Sequence, residues 1–459
     1  MEGMKQSGSP NGSPRLPPGN LGLPVLGETL DYLKSQNTED PDSFVRERQA
    51  KYGRTFLTNL LGNNMVMVTA PELAELLLTD EKLFKTEWPK STRMLLGERS
   101  VTTTQGARHK NLRSLVTGPL SLDNLKRYVP VIEERVLAQL GTWESGTTVA
   151  AYQELRKLTF SIISELIFGA KPGPQADRLS GFFNKWLVGL FSLFAVRIPF
   201  TGFAASMDAR DAILEETAGI LKERRSALAS GAPVPNDILT RLMTEKDAQG
   251  AQLSDEDLQD NLLALLFAGH DTSASALASI IRYLSDDPAV VQKLREEHAD
   301  VRSRKEAGEP LTWEDVRKMS YTEKVISEGL RVRPVVANNF KVATRDVSID
   351  GYVIPAGHNV TLNYRSIMRS EALFPEPKAF KPERFDEKPA PYTFLPFGSG
   401  ERQCPGSALA RMEMAVFLYH FVNDWEWTLV NPAEATSYFP LPQPVEGLPI
   451  KRRKRSAAD

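Results

Sequence analysis

Between Ser254 and the stop at Asp286-Asp287-Pro288 the chain offers no helix breaker, and Ser254 followed three residues later by Asp257 is a capping-box signature. The pattern predicts one helix of about 30 residues, roughly 45 Å long at 1.5 Å per residue. A helix of that length must cross the whole domain, so the other elements have to pack around it. Its middle, Leu262 to Thr272, reads LLALLFAGHDT and is apolar enough to be buried, yet it carries Gly269, His270, Asp271 and Thr272, with Ser273 next. Glycine in a helix interior is about 1 kcal/mol worse than alanine, and buried polar groups need partners. Ala268 and Gly269 fall four and three residues before Thr272, which sets small side chains beside a hydroxyl on one face. That face either leaves a groove for a small molecule or marks a helix kink with the threonine bonded back to a carbonyl.

A second unusual stretch, Phe397 to Gly406, reads FGSGERQCPG and holds Cys404, the only cysteine among 459 residues. Gly398, Gly400, Pro405 and Gly406 demand a sharp turn and let the backbone come close to something flat or bulky. A lone thiol excludes an intrachain disulfide and a four-thiolate zinc or iron–sulfur site, and it fits a reducing cytoplasm. FGSG is not a dinucleotide loop, because Gln403 stands where GxGxxG needs its last glycine. Glu328 and Arg331, three apart on a predicted helix, read by themselves as an exposed ion pair worth under about 1 kcal/mol.

The rest of the chain reads as mainly α-helical with small β-sheets. Residues 1–20 lack the apolar core of a signal peptide and are Ser/Gly/Pro-rich, so a disordered tail is expected there. Thr55 to Leu61 and Met65 to Thr69 flank Gly62-Asn63-Asn64 as a hairpin. Apolar three-and-four spacing in VPVIEERVLAQL, LRKLTFSIISELIF and AILEETAGILKERRSAL predicts helices between residues 120 and 228. Thr312 to Leu330 reads as one helix, halted by Arg333-Pro334. Asn339 to Ala343, Val347 to Ile349 and Tyr352 to Ile354 read as strands, and Ser407 to Val422 as a helix. Residues 451–459, with the run Lys451 to Arg455, read as a basic, solvated tail. Phe182 to Phe203 is rich in Phe, Leu and Trp and is either a buried helix or an apolar wall of a substrate cavity. Its most apolar run, Trp186 to Val196, is eleven residues, short of the ~20 that span a bilayer. Net charge is −2, from 56 basic and 58 acidic side chains, which gives no global attraction to nucleic acid or anionic lipid. A soluble, cytoplasmic, monomeric protein with no transmembrane anchor is expected.

Phe397, Gly400, Arg402, Cys404 and Gly406 match every fixed position of FxxGxRxCxG, and on these residues the chain resembles the cytochrome P-450 family of haem-thiolate enzymes. Ala268 to Thr272 is similar to that family's oxygen-activation motif, Glu328 to Arg331 to its ExxR pair, and Pro382-Glu383-Arg384-Phe385 to its PERF motif. The four motifs stand in the family's order, and the resemblance runs from about Arg15-Leu16-Pro17-Pro18-Gly19 to the C-terminus. The PPGNLGLPVLGETLDYL wording looks most like soluble bacterial relatives of retinoid- and sterol-hydroxylating members.

The resemblance implies a single domain over residues 21–450, with haem b held between the long central helix and the cysteine loop. Cys404 would ligate the iron axially, since a thiolate is a soft donor whose electron release favours O–O cleavage. Ala268 and Gly269 would flank the oxygen site, with Asp271 and Thr272 as the catalytic proton-handling residues. Glu328, Arg331 and Arg384 would form a buried charge network that serves fold and haem retention. His109, Arg113 and Arg402 would meet the haem propionates. Lys341, where relatives often carry arginine, would do so as a point charge instead of a fork. Trp88, Phe182, Trp186 and Phe439 fall where the family lines its substrate cavity, as do Arg93 to Leu96 and Tyr438 to Leu441. The implied reaction inserts one atom of O₂ into a lipophilic molecule such as a retinoid, terpenoid, steroid or fatty acid. Electrons would come from NAD(P)H through a separate ferredoxin or flavodoxin and its reductase. A peroxide-using or peroxide-rearranging enzyme is the alternative, and a non-catalytic haem sensor a further one.

Overall fold

The computed structural model describes residues 16–171, 173–306 and 308–455. The helices that frame the site are α1 (Gly106–Thr117), α2 (Leu122–Gly141), α3 (Ala151–Phe168), α4 (Pro174–Leu187), α5 (Gly202–Ser230), α6 (Asp255–Asp286), α7 (Ser320–Val332) and α8 (Ser407–Asp424). Small sheets flank them, and 53% of the chain is helical, as the sequence pattern requires.

The predicted long helix is α6, at 32 residues. The Ser254 hydroxyl accepts the Asp257 N–H at 3.1 Å, and acidic residues at 255, 256 and 257 complement the positive end of the helix dipole. By length and composition α6 is long and apolar enough to cross a bilayer, but 78% of its most apolar window is buried inside the protein, as in a core helix. α3 runs against it so closely that a Cβ on Gly269 would sit 2.7 Å from Ile163 Cγ1. The glycine therefore answers to helix–helix approach as much as to any groove.

The five-stranded sheet runs in the order Thr55–Leu60, Asn63–Val68, Asn359–Leu362, Lys341–Ala343, Phe84–Thr86, with only the Asn63–Val68 and Asn359–Leu362 pair parallel. The hairpin turn falls at Leu61-Gly62, both at positive φ, and Asn63 and Asn64 already belong to the second strand. The Asn359–Leu362 strand, Asn-Val-Thr-Leu, alternates polar and apolar residues over only four positions, a run the sequence reading did not single out.

Three expectations need correction. Residues 16–20 are not a disordered tail: Leu57 N–H donates to Pro18 O at 2.9 Å and Asn20 N–H to Leu57 O at 3.2 Å, so backbone pairing orders a segment with little apolar surface; residues 1–15 lie outside the described residues. The basic end is not a solvated tail either. Pro449–Lys454 is the central strand of a three-stranded sheet, between Thr148–Ala150 and Trp425–Leu429. Ile450 and Arg452 point inward while Lys451 and Arg453 point out, and the Arg452 guanidinium lies 5.1 Å from the Trp143 ring centre. A cation over an aromatic face thus replaces an apolar side chain in the alternation. Finally, Thr312 to Leu330 is two helices, Trp313–Lys318 and α7, broken at Met319. The Glu297 carboxylate accepts the N–H groups of Tyr321 and Thr322 at 2.5 and 2.9 Å, which caps a fresh helix start from outside.

Gly269→Ala is expected to lower stability by about 1–2 kcal/mol, because overpacking outweighs the gain of about 1 kcal/mol in helix propensity. Urea midpoints of Gly269→Ala, Ile163→Ala and the double variant check this. The contact predicts that the second change recovers part of the first, whereas strictly additive losses would show the helices do not meet here.

Candidate active site

The cysteine loop is built by backbone contacts. Gly400 has φ +72°, and a Cβ there would lie 2.3 Å from Leu78 O, so only glycine lets the loop rest on that carbonyl. Cys404 N–H donates to Phe397 O at 2.9 Å, closing the turn just before α8 begins. The Arg411 guanidinium lies 5.1 Å from the Phe397 ring centre. Burial pushes the Cys404 thiol above its ordinary 9.0, opposed by the Gly406 N–H and by the charge of Arg113. At neutral pH a thiol so placed stays protonated, and a cation at the sulfur favours its ionised form.

Cys404 and the α6 residues Ala268, Gly269, Asp271 and Thr272 line one cavity of about 910 Å³. That volume lies near the top of the ~300–1,000 Å³ range of small-molecule sites. The Thr272 hydroxyl donates to Ala268 O at 2.7 Å, so the back-bonded threonine and the groove both occur, and its oxygen keeps acceptor capacity. The Asp271 carboxylate is held by Arg156 of α3, whose Nε donates at 2.6 Å, while another nitrogen of the same guanidinium donates to Asn184 Oδ1 of α4 at 2.7 Å. Neither partner carries a local sequence signal, since each is specified only by the packing of α3, α4 and α6. His270 points the other way, between the rings of Phe160 and Phe183 at 5.3 and 5.4 Å. Burial pulls it from 6.5 down to about 4, so it is neutral core.

At another part of the same cavity stand His109, Arg113, Lys341 and Arg402. The Arg402 fork is oriented by Thr104 O at 2.8 Å and Gln105 Oε1 at 3.0 Å, leaving its buried Nε without a hydrogen-bond partner. Arg113 donates to Gln403 O at 2.5 Å. Lys341 is buried and ion-paired with Glu81, which the sequence did not single out. His109 is pulled down to about 4 by burial, then by Arg402 and Arg113, so it is an uncharged donor at neutral pH. A buried soft donor, a buried guanidinium nitrogen with no hydrogen bond and a cluster of cations fit a metal-bearing macrocycle with carboxylate arms. Cys404 would hold its metal, and His109, Arg113, Lys341 and Arg402 its carboxylates.

Glu328 and Arg331 are not a surface pair: both side chains are 0% exposed and meet at 2.6 Å. Arg331 also donates to the carbonyls of Met368, Pro377 and Ala379, and Glu328 accepts from Lys381 N and from Arg384 Nε at 3.2 Å. All three lie outside the cavity wall.

Of the four proposed substrate-wall residues, Trp88 and Phe439 line the cavity, but Phe182 and Trp186 do not. Trp186 is fully buried, its indole N–H donating to Leu95 O at 3.1 Å, and Phe182 packs on the core from outside. The phase of α4 turns Phe183 and Trp186 inward, and the wall is made instead by Leu187 and, beyond the helix end, Phe191. The rest of the 182–203 stretch is neither one buried helix nor wholly wall, for Phe194 and Phe200 are exposed.

With this geometry in view the comparisons are direct. The sequence model of the cytochrome P-450 family matches residues 17–445, and the chain belongs to that family. It is a haem monooxygenase, an oxidoreductase in a family whose chemistry uses haem, O₂ and reducing electrons. Abscisic acid 8'-hydroxylase 1 of Arabidopsis thaliana is 37% identical over 436 residues, covering 95% of this chain and 90% of that protein. Abscisic acid 8'-hydroxylase 3 of Oryza sativa subsp. indica is 36% identical over 440 residues, with 95% and 86% covered. The solved structure of retinoic acid bound cyanobacterial CYP120A1 superposes with a TM-score of 0.87 at 32% identity, covering 96% of this chain and 100% of that one.

The buried histidines give a pH prediction. His109 and His270 titrate near 4 in the fold against about 6.5 when unfolded, so between those values the unfolded chain binds more protons. The histidine contribution, to which buried His298 near 3 adds, is therefore expected to be full above pH 6.5 and to be lost as pH drops toward 4, by up to about 1.4 kcal/mol per pH unit for each histidine. Glu413, pushed up to about 8 by burial, acts in the opposite sense. Urea midpoints from pH 7.5 to pH 4.5, measured in a Glu413→Gln variant that removes the opposing carboxyl, check it; a flat profile there would mean that these imidazoles are not buried neutral.

Proposed function

We propose that this chain hydroxylates a lipophilic carboxylic acid of retinoid or terpenoid type, using electrons delivered by a separate ferredoxin or flavodoxin and its reductase. The observation that carries the reading is the single cavity that contains both the Cys404 sulfur and the Ala268-to-Thr272 face of α6. Haem b bound through Cys404 supplies O₂ binding and reductive O–O cleavage. The chain's own residues do the rest. Ala268 and Gly269 leave room beside the Thr272 hydroxyl, whose hydrogen is given to Ala268 O and whose oxygen would accept a hydrogen bond from the cavity side. Asp271, the residue before Thr272 and anchored by Arg156, also lines the cavity, where it can exchange protons with the cavity's contents.

The substrate class is supported by the walls. They are mostly apolar, with Trp88, Leu187, Phe191 and Phe439 around the chamber, while Lys90 and Arg93 also line it. Arg93 pairs with Glu87 at 2.7 Å yet has a buried Nε with no hydrogen-bond partner. An apolar body with one carboxylate matches that lining. Two relatives act on or hold small molecules named as acids, abscisic acid and retinoic acid. The electron donor would approach on the side of the cysteine loop.

Retinoic and abscisic acids and their methyl esters serve as probes. The reading expects the acids, more than the esters, to displace water from the iron in an optical titration, and expects labelled O₂ to place one atom in the product. Equal binding of esters would remove the carboxylate requirement, and turnover with hydrogen peroxide that matches the partner-driven rate would favour peroxide chemistry instead. Thr272→Ala is expected to leave haem bound but to cut product formed per NADPH about tenfold or more, in line with losses on removing a proton-transfer group. Unchanged coupling would show that the hydroxyl handles no catalytic proton.

A further inference from the structure

We infer that Glu81 is a charge-setting residue of the cofactor site: it fixes the buried Lys341 and leaves this end of the cavity with the charge that one dianionic porphyrin neutralises. This rests on the haem reading above. Glu81 follows the short helix Ala74–Thr79 and lies far in sequence from every motif that names the family. Its carboxylate accepts from Lys341 Nζ and, at 3.3 Å, from the Thr86 hydroxyl, and its second oxygen lies 3.6 Å from Arg402 Nε. Lys341 is 3% exposed and Glu81 17%, so the pair lies in a poorly screened place where a lone ammonium would be costly.

The charged and titratable groups around it can be followed from each element. From α1 come His109, which is neutral near pH 7, and Arg113. From the cysteine loop come Arg402 and Glu401, the latter exposed and paired with Lys110 at 3.2 Å. From the sheet comes Lys341. Among the described residues at this end, Arg113, Arg402 and Lys341 thus face the single inward carboxylate of Glu81, a surplus of two positive charges. Haem brings two propionates. Without Glu81 the surplus would exceed what the cofactor supplies, and without Lys341 it would fall short.

Reduction adds an electron to the iron, so an extra positive charge at the site favours the ferrous form. Glu81→Gln is expected to raise the midpoint potential and slow haem transfer to apomyoglobin by about fivefold. Lys341→Met is expected to shift both in the opposite direction, and Glu81→Gln with Lys341→Met to return both toward the parent values, since that chain regains the original surplus. The double variant also leaves no buried lysine without its carboxylate, so it keeps the test open where either single variant folds poorly. Single variants that leave both quantities unmoved, or a double variant that loses haem or differs from the parent as much as the worse single one, overturn the inference. The carbon monoxide spectrum separates the two layers: a parent protein without thiolate ligation defeats the haem reading, whereas intact ligation with unmoved potentials defeats only the role of Glu81.

Discussion

An ion pair with no exposure to solvent, Glu328 with Arg331, ties α7 to the stretch between Met368 and Arg384 that precedes the cysteine loop. Charges so deeply buried survive only if each is fully satisfied, and these are, by the carbonyls of Met368, Pro377 and Ala379, by Lys381 N and by Arg384. Apart from Met368, which ends the short helix Tyr364–Met368, these groups belong to the irregular stretch that leads to the cysteine loop. That stretch has little regular structure of its own, so the pair is what fixes its path. Removing one partner would strand a buried charge at about 3–5 kcal/mol and loosen the loop that presents the thiol.

The opposite boundary of the cavity is α6, whose placement depends on close packing. Gly269 lets α3 approach through Ile163, and Gly329 lets α7 approach through Ile280, where a Cβ would sit 2.5 Å away. The same close approach brings Arg156 to Asp271, so the polar notch in an apolar helix is stabilised by a neighbour instead of by solvent. Structure and chemistry share one cause here: the residues that weaken α6 as an isolated helix are those that make room for a ligand.

Much of this was legible in the chain because it is local. The Ser254 cap, the long unbroken helix and the Gly-rich turn around Cys404 each lie within a window that one element's rules can read. What was missed depends on distant contacts. Arg156, Asn184 and Glu81 have ordinary neighbours in sequence and gain meaning only where separate elements meet. The end of the chain read as a basic tail because a cation over Trp143 stood in for the apolar half of a strand. Phe182 and Trp186 were misplaced because composition located an aromatic stretch without giving the phase of α4, and a single helical step separates core from cavity wall. The break at Met319 was invisible because its cause, Glu297, sits on a separate helix, Pro288–Ser303, more than twenty residues away.

The central claim is that a buried thiol and a notched helix enclose one haem. The carbon monoxide difference spectrum of the reduced protein, measured beside that of Cys404→Ser, tests it most directly. The account predicts the red-shifted Soret band of thiolate ligation in the parent and its loss in the variant. A parent protein that lacks the band, or a variant that keeps it, would contradict the account.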